Sequence, residues 1–335
     1  MVAGNPSRAM KASVSLITYN HAPFIAQAIE SVLQQQTAFD FELLIGEDDS
    51  TDGTREIVKS YQARYPDKIR LLLNDRKDVV YVNGKPTGQW NFVNNIRNTR
   101  GEYVALLDGD DYWTSPSKLQ KQVDFLEKNR DCALCFHNVQ ILEPGDPPRW
   151  TLQYTEPLRE RYGLEDLMKG NFMHTCSVVF RAGLFGDFPP WIFKCPMGDW
   201  PLHVLNARHG RIGSLDEVMG VYRKHASGLW SPQAPARIFE DSIQTAEWIR
   251  TSLPRVHQKE LDDSMAAWYR AAVRLYGRSG DHQTANRLAT TYFKTFLFRI
   301  VTRRRRLLKV LLFAKARSAG HSLIGSFQAL RRKAG

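Results

Sequence analysis

Cysteine is scarce in this chain, which has four cysteines among 335 residues: Cys132, Cys135, Cys176 and Cys195. So few cysteines exclude a scaffold held together by disulfides. Cys132 and Cys135 form a C-x-x-C pair that is compatible with zinc or redox chemistry, but no second pair follows it. The pair begins an apolar run typical of a buried strand. We therefore expect reduced, buried thiols in a cytosolic protein.

Long hydrophobic runs are also missing. The first ten residues contain no apolar stretch that could serve as a signal peptide. Near the end of the chain, the longest stretch without Asp, Glu, Lys or Arg runs from Ser318 to Leu330, which is too short to span a bilayer. The sequence therefore predicts neither export nor a membrane span. It predicts a cytoplasmic location.

Acidic residues are absent from the last part of the chain. From His282 onward there are 13 Lys and Arg and no Asp or Glu, which leaves 33 basic and 35 acidic residues before it, although the whole chain carries a net charge of +11. Basicity confined to a tail predicts an attachment segment and no nucleic-acid partner. Because Leu and Phe alternate with its arginines, the segment suits an anionic membrane surface at the inner face of the plasma membrane. A packed helical subdomain with solvated arginines is the equally weighted alternative.

Short apolar runs alternate with helical patterns over the first 110 residues. This alternation predicts an α/β fold with a parallel sheet that helices cover on both faces. A polar stretch around Gly84, Pro86 and Gly88 is predicted to be a loop. The predicted strands are Ser13–Thr18, Phe41–Gly46, Ile69–Leu73 and Tyr103–Leu107, and the predicted helices are a segment from Ile25 to Leu33, Gly53–Tyr65 and Asn91–Thr99.

Three polar clusters follow predicted strands directly. They are Thr18-Tyr19-Asn20, Glu47-Asp48-Asp49-Ser50 and Asp108-Gly109-Asp110-Asp111. In open parallel sheets, ligands bind at the carboxyl ends of the strands, so we expect the clusters to line one crevice. No glycine-rich dinucleotide or P-loop motif follows the first strand, which argues against nicotinamide and P-loop enzymes.

The third cluster places three carboxylates within four residues. Carboxylates this close repel one another unless a cation or a raised pKa relieves them. Mg²⁺ or Mn²⁺, held by one or two carboxylates and the oxygens of a diphosphate, fits this chemistry. The alternative is an acidic turn before the next helix, predicted to begin near Pro116, but Ser115 can cap that helix without the carboxylates.

Four runs in this order, ITYNHAPFIAQAIESVLQQ, EDDSTDGTREIV, LLDGDDYWTSPSKLQKQVDFL and GDWPLHVLNARHGRIGSLDEVMGVYRKH, resemble the family 2 glycosyltransferases of the GT-A fold, bacterial polysaccharide branch. The resemblance covers about residues 12 to 230. It implies a Rossmann-like, mostly parallel sheet flanked by helices. It also implies inverting transfer of a sugar from a nucleotide-diphosphate sugar, with UDP favoured, to a hydroxyl of a glycan or lipid-linked acceptor in cell-surface polysaccharide or lipid-linked glycan synthesis.

The predicted domains follow from this resemblance and from the charge distribution. They are an N-terminal lead at 1–11, a GT-A glycosyltransferase domain at 12–232 and a helical, basic region at 233–335. Within the second, residues 12–113 are expected to form the nucleotide-binding half and residues 114–232 the acceptor and catalytic half.

The resemblance also implies roles for individual residues. Asp110 and His225 are the expected ligands of Mg²⁺ or Mn²⁺, and Asp199 is the expected catalytic base. An ordinary helix N-cap is the alternative for Asp199. The expected nucleotide-sugar contacts are Thr18, Tyr19, Asn20, Glu47, Asp48, Asn91, Asp108 and Asp110, and whether Glu47 or Asp48 meets the base is left open.

Five further residues are weaker candidates for the same site. Asp111 is a candidate assistant to the metal ligands, Trp200 a surface for a sugar ring and Arg223 a contact to the diphosphate. His174 and Thr175 are candidates for the acceptor site, with a core strand from His174 to Arg181 as the alternative. Two other functions stay open: a metal-dependent phosphohydrolase acting on nucleotide sugars, and an inactive nucleotide-binding homologue.

Overall fold

The computed structural model describes residues 10–226, 228 and 235–303, with side chains as far as residue 294. The chain forms two compact units, Met1–Ser231 and Pro232–Gly335. The part of the predicted basic tail beyond Arg303 lies outside the described residues. None of the helices in the described ranges is long and apolar enough to cross a membrane.

The first unit alternates strands and helices. Its helices are α1 (Ile25–Leu33), α2 (Thr54–Arg64), α3 (Gln89–Arg97), α4 (Lys118–Lys128), α5 (Leu164–Leu167) and α6 (Asp199–Ala207). Its strands are β1 (Ala12–Thr18), β2 (Phe41–Glu47), β3 (Ile69–Leu73), β4 (Val80–Val82), β5 (Lys85–Thr87), β6 (Tyr103–Asp108), β7 (Tyr112–Trp113), β8 (Cys132–Glu143), β9 (Arg149–Leu152), β10 (Arg161–Tyr162), β11 (Val179–Arg181) and β12 (Arg211–Arg223).

The main sheet has the order β10-β12-β8-β11-β6-β1-β2-β3, and its β6-β1-β2-β3 part is parallel throughout. Strand β11 runs antiparallel to both β6 and β8, while β12 is parallel to β8. The predicted parallel sheet is confirmed for the first half of the unit. The second half adds antiparallel pairs, which the alternation of elements along the chain did not reveal.

Helices cover both faces of β1, as predicted. Val14 and Leu16 are fully buried in one apolar cluster with residues of α1, α2 and α4. On the other face, the amide of Asn95 in α3 donates to Ser15 Oγ at 2.9 Å. Because both faces are covered, the strand is buried along nearly its whole length. The polar residues that follow such a strand can therefore contact a ligand only beyond its carboxyl end.

Three local predictions differ from the structure. The predicted loop near Gly84 contains the hairpin β4–β5, whose turn residues Asn83 and Gly84 have φ values of 54° and 73°. Asn-Gly is the usual sequence of such a two-residue turn. The predicted strand 174–181 is split, because Ser177 N donates to His174 O in a 3-10 turn before β11 begins. Helix α4 begins at Lys118 and has no side-chain cap, so the predicted cap at Ser115 is wrong.

The second unit is helical in its described part. Its helices are α7 (Pro235–Ser252), α8 (Arg255–Arg278) and α9 (His282–Arg303), and α8 packs against both others. Met265 and Tyr269 are buried in it, and Arg250 pairs with the buried Asp262 at 2.9 Å. The helical character predicted for this region is confirmed as far as Arg303.

Candidate active site and metal centre

The three strand-end clusters lie together at one edge of the sheet. In the strand register, Thr18 is opposite Glu47 and Ile17 is opposite Asp108. Backbone hydrogen bonds continue past the strands, from Asp48 N to Thr18 O at 3.1 Å and from Gly109 N to Ile17 O at 2.9 Å. The predicted convergence of the clusters is therefore confirmed at the level of the backbone.

The loop after β1 is tied to the loop after β2 by side chains. Asn20 has a φ of 53°, a left-handed conformation that asparagine tolerates. Its Oδ1 accepts a hydrogen bond from Thr51 N at 2.9 Å, and its own N–H donates to Ser50 Oγ at 2.9 Å. His21 N donates to Thr54 Oγ1 at 2.9 Å. Asn20, an expected nucleotide contact, therefore holds the two loops together through its side-chain oxygen.

Glu47 and Asp48 have different surroundings. Glu47 is fully buried, and its carboxylate accepts a hydrogen bond from Ser50 N at 2.7 Å and pairs with Arg55. Asp48 Oδ1 is buried without a hydrogen-bond partner among the described residues. Burial raises the pKa of Asp48 to about 6. Of the two carboxylates, Asp48 thus offers an unused acceptor at the strand ends.

Tyr19 and Arg76 lie beside Asp48. The ring of Tyr19 is 38% exposed, and the guanidinium carbon of Arg76 lies 4.3 Å from its centre. Arg76 Nη1 is also 3.5 Å from Asp48 Oδ2. Arg76 was not among the residues predicted from the sequence. Its position could have identified it, because Arg76 follows the third predicted strand by three residues, at the same edge as the other clusters.

Asp110 lies between two histidines. His225 Nε2 is 2.9 Å from Asp110 Oδ2, and His21 Nε2 is 3.7 Å from the same oxygen. One ligand atom from each of the three residues lies within 4.8 Å of the others. Two imidazoles and a carboxylate are ordinary ligands of divalent transition metals, so of the two expected cations these residues fit Mn²⁺ better than Mg²⁺. His21 was not among the residues predicted from the sequence, although it follows the first polar cluster directly.

Electrostatics favour the ligand forms of Asp110 and His21. Burial opposes ionisation of Asp110, but its hydrogen bond to His225 and the two neighbouring histidines outweigh burial and lower its pKa. Burial lowers the pKa of His21, which favours the neutral imidazole. Gly109 is required between these groups, because a Cβ there would lie 2.6 Å from Thr18 Oγ1 and 2.9 Å from His21 Nδ1.

The other two carboxylates of the cluster, Asp108 and Asp111, have raised pKa values. Burial, together with the charges of Asp110 and Asp199, raises the pKa of Asp108 to about 8, against a hydrogen bond from Thr175. Asp111 is buried, and its Oδ1 accepts a hydrogen bond from Arg223 N at 2.8 Å. Burial and the charges of Asp110 and Asp108 raise the pKa of Asp111. This mutual repulsion is what a bound cation would relieve.

Asp199 is the first residue of α6 and belongs to the same acidic group, since its charge acts on Asp108. The N-cap position is occupied by Gly198, so the expected alternative of an N-cap role for Asp199 is not observed. Its Oδ1 accepts a hydrogen bond from Trp200 N and its Oδ2 one from Asn171 Nδ2, both at 2.7 Å. Burial raises the pKa of Asp199. No motif in the sequence had indicated a role for Asn171.

Two expected surface contacts are buried. Trp200 is 1% exposed and its indole N–H donates to Leu167 O at 3.0 Å, so it presents no ring surface to a sugar. Asn91 is 2% exposed and donates to Gly46 O at 2.8 Å. Trp200 therefore connects α6 to α5, and Asn91 connects α3 to β2.

The remaining candidates lie around the acidic cluster. Arg223 donates to Asp110 O at 2.6 Å and to Gln27 Oε1 at 2.7 Å, which fixes the end of β12 beside α1. The ring of His174 is stacked on that of Tyr222, which lies next to Arg223 in β12, with ring centres 4.2 Å apart. Arg223 therefore positions the segment that carries His225.

Comparisons with known proteins identify the family of the chain and its fold. Residues 13–188 match the family "Glycosyl transferase family 2". An uncharacterized protein of Mycobacterium tuberculosis is 37% identical over 226 residues, covering 65% of this chain and 60% of the relative. A protein of Bacillus subtilis named putative teichuronic acid biosynthesis glycosyltransferase TuaG is 33% identical over 140 residues, covering 41% and 51%. The chain thus spans about 60% of the length of the mycobacterial relative.

Solved structures show the same fold. Staphylococcus aureus TarS 1–349 in complex with UDP has a TM-score of 0.54 at 17% identity, covering 92% of this chain and 87% of that one. A mannosyltransferase from Pyrobaculum calidifontis in complex with GDP-Man and Mn²⁺ also has a TM-score of 0.54 at 17% identity, covering 95% and 90%. These likenesses confirm the predicted fold class.

Proposed function

Because the chain belongs to glycosyl transferase family 2, we propose that it transfers a sugar from a nucleotide-diphosphate sugar to an acceptor hydroxyl with inversion at the anomeric carbon. The observation that carries this proposal is the grouping of Asp110, His21 and His225 at the carboxyl edge of the sheet, where Asp48 and Tyr19 also lie. This is the edge at which an open α/β sheet binds ligands.

Tyr19, Arg76 and Asp48 are proposed to hold the nucleotide base. The half-exposed ring of Tyr19 and the guanidinium of Arg76 offer flat surfaces for stacking. The unused oxygen of Asp48 is a suitable acceptor for an N–H of the base. A UDP-sugar is the favoured donor. The S. aureus neighbour was solved with UDP and the archaeal one with GDP-Man.

Asp110 and His225, as ligands of Mg²⁺ or Mn²⁺, are proposed to place the diphosphate. When bound, such a cation neutralises the negative charge of the leaving diphosphate. Arg223 positions the end of β12 through Asp110 O and Gln27, so that His225 faces Asp110. Asp108, next to Asp110 and Thr175, is proposed to contact the ribose or sugar.

Asp199 is proposed to be the catalytic base. The acceptor oxygen forms a bond to the anomeric carbon, the bond from that carbon to the diphosphate oxygen breaks, and the acceptor proton passes to Asp199. Asn171 orients the carboxylate through Oδ2. A single displacement leaves the product with inverted configuration.

The acceptor is proposed to be a glycan or lipid-linked glycan of the cell surface. The B. subtilis relative carries teichuronic acid biosynthesis in its name, and the basic C-terminal segment suits work at an anionic membrane. His174 and Thr175, beside Tyr222 and Asp108, are the residues proposed for the acceptor side.

The test is a donor screen on the full chain. Thermal stability and calorimetry with UDP-, GDP- and other nucleotide sugars identify the donor, because a ligand that binds only the folded state raises its stability. Transfer to lipid-linked glycan acceptors is then followed by mass spectrometry. Hydrolysis of the donor without any transfer would favour the phosphohydrolase, and tight nucleotide binding without turnover would favour an inactive homologue.

A further inference from the structure

We propose that His21 is a third protein ligand of the metal centre and that it makes the centre select Mn²⁺ and related transition metals over Mg²⁺. The inference rests on the proposed function, in which Asp110 and His225 hold the cation that accompanies the donor. It adds a ligand and a class of metal that the carboxylate motif does not specify.

The distance between His21 and Asp110 favours a shared cation over a direct hydrogen bond. His21 Nε2 is 3.7 Å from Asp110 Oδ2, which is too long for a hydrogen bond. Nitrogen and oxygen ligands of one divalent cation lie about 2.0–2.2 Å from it, which separates neighbouring ligand atoms by about 3 Å. The separations of 2.9 Å and 3.7 Å from the two imidazoles to the carboxylate oxygen are close to that spacing.

The backbone holds His21 in place independently of its side chain. Its N–H donates to Thr54 Oγ1 at 2.9 Å. Its carbonyl accepts hydrogen bonds from Phe24 N and Ile25 N, both at 2.8 Å, where α1 begins. A residue held at both backbone groups presents its side chain at a fixed position, which is what a metal ligand requires.

The ring is oriented with Nε2 towards Asp110. Nδ1 lies 3.3 Å from Thr18 Oγ1, so this nitrogen is used by a protein partner. Ligating histidines commonly use one nitrogen for the metal and give the other to such a partner, which sets the ring orientation. Gly109 keeps the space beside Nδ1 and Thr18 Oγ1 open.

Two imidazoles and one carboxylate favour a particular class of metal. Mg²⁺ prefers oxygen ligands in nearly ideal octahedral geometry and keeps several waters. Imidazole suits first-row transition metals, whose affinities for such a site rise from Mn²⁺ towards Co²⁺ and Ni²⁺. Asp110 and His225 alone would supply one oxygen and one nitrogen ligand. His21 would add a second nitrogen.

The test is direct binding of Mn²⁺ and Mg²⁺ to the full chain without nucleotide. Wild type, His21→Gln and His21→Asp are compared by calorimetry, and pulsed paramagnetic resonance of bound Mn²⁺ counts the coordinated imidazole nitrogens. We expect His21→Gln to bind Mn²⁺ about 10- to 100-fold more weakly, with little change for Mg²⁺ and one imidazole coupling instead of two. His21→Asp is expected to bind both metals while its preference for Mn²⁺ falls.

The matched control is His209→Gln, because His209 is exposed and lies outside the ligand group. It should bind Mn²⁺ like the wild type. Thermal melting without metal checks that each variant is folded. Unchanged Mn²⁺ affinity or two imidazole couplings in His21→Gln, or an equal loss for both metals, would overturn the inference.

A transfer assay separates this inference from the proposed function. If sugar transfer proceeds in EDTA and the wild type binds no Mn²⁺, the inference fails while the glycosyltransferase stands. If His21→Gln loses Mn²⁺ selectively but no nucleotide sugar is ever turned over, the ligand assignment stands and the proposed function fails.

Discussion

Among single residues, Asp199 has both carboxylate oxygens engaged at 2.7 Å, by Trp200 N and by Asn171. Asp199→Asn removes the carboxylate proposed to take the acceptor proton and preserves the shape of the site. We expect donor affinity to stay unchanged and transfer to slow by about 10²- to 10⁴-fold, the usual contribution of a positioned base. Single-turnover transfer and donor calorimetry measure the two effects. Transfer near the wild-type rate would assign the base to another carboxylate.

Asn171→Ala is the companion variant. The hydrogen bond from Asn171 lowers the pKa of Asp199, against the larger effect of burial, which raises it. Removing that bond should therefore raise the pKa of Asp199 and move the acid limb of the pH–rate profile to higher pH. A uniform loss of rate at every pH would instead indicate a general structural defect.

Asp48 is expected to determine nucleotide affinity through its unused oxygen. Asp48→Asn should weaken binding of the nucleoside diphosphate about fivefold, because a hydrogen bond to a charged group is worth about 1 kcal/mol more than a neutral one. The pKa of Asp48 is raised to about 6, so wild-type affinity should fall as the pH drops below that value. The variant should lose this pH dependence. Calorimetry across pH 5 to 8 measures both effects.

Asp49→Asn is the control for Asp48. Asp49 is the adjacent residue, its side chain is 40% exposed, and it pairs with Arg55 at 2.9 Å. Its φ of 62° is one that asparagine also adopts. Nucleotide binding should be retained in this variant. Equal losses in both variants would count against a specific contact from Asp48.

Asp110 lies within reach of both imidazoles, at 2.9 Å and 3.7 Å. Asp110→Ala is expected to abolish metal-dependent donor binding, because in the proposed function the diphosphate is neutralised mainly through the cation that Asp110 holds. Titration of UDP and other nucleoside diphosphates with and without Mn²⁺ measures the effect. The same affinity in wild type and variant would remove Asp110 from the site.

Among the helices, α4 begins with a lysine buried in the core. Lys118 is fully buried, its Nζ lies 3.8 Å from the centre of the Trp113 ring, and it has no hydrogen-bond partner among the described residues. Burial lowers its pKa from 10.5 to about 7. The ring offers a cation–π contact, which replaces only part of the lost hydration. We therefore expect this lysine to destabilise the fold at neutral pH.

Lys118→Met should raise the stability of the first unit. Between pH 7 and 10.5 the unfolded state binds more protons at this site, so the wild type becomes more stable as the pH rises. The advantage of the variant should be greatest at pH 7 and below and vanish near pH 10.5. One pKa unit corresponds to about 1.4 kcal/mol, so the gain at pH 7 is on the order of a few kcal/mol. Denaturant unfolding at several pH values measures it.

Lys128→Met, at the exposed end of the same helix, is the control for Lys118. It removes the same charge without relieving burial, so it should change the free energy of unfolding little at any pH. A gain in stability equal to that of Lys118→Met would trace the effect to net charge and not to burial.

For the whole molecule, the charge partition predicts membrane attachment. The chain before His282 contains 33 basic and 35 acidic residues, whereas the chain from His282 onward contains 13 basic residues and no Asp or Glu. We predict that the chain from about Lys294 onward binds an anionic membrane, since each Lys or Arg near such a surface contributes about 1 kcal/mol. Binding should weaken as salt rises. Co-sedimentation with anionic and neutral liposomes at low and high salt measures it.

A chain ending at Tyr292 is the control for membrane attachment. It should stay in the supernatant with every liposome. If both chains sediment equally, or if the full chain ignores lipid charge and salt, the basic segment forms part of a packed helical unit instead.

The order of elements and the edge that carries the site were predictable from the sequence. Strands β1, β2, β3 and β6 showed as β-branched or leucine-rich runs, and polar clusters followed three of them. These signals are local, because burial on both faces of a strand demands a continuous apolar run. The antiparallel insertion of β11 between β6 and β8 was not predictable, since it pairs segments far apart along the chain.

Sequence by itself determined the fold class, the family resemblance and the place of Asp48, Asp108, Asp110 and Asp199 among the candidates. Tertiary structure alone decided that Glu47 is bonded to Arg55 and Ser50, that Trp200 is buried, and that His21, Arg76 and Asn171 lie beside the candidate site residues. The physical reason is the range of the interactions. Periodicity reports which face of an element is buried, whereas hydrogen-bond partners and ligand distances depend on how separate elements pack against one another.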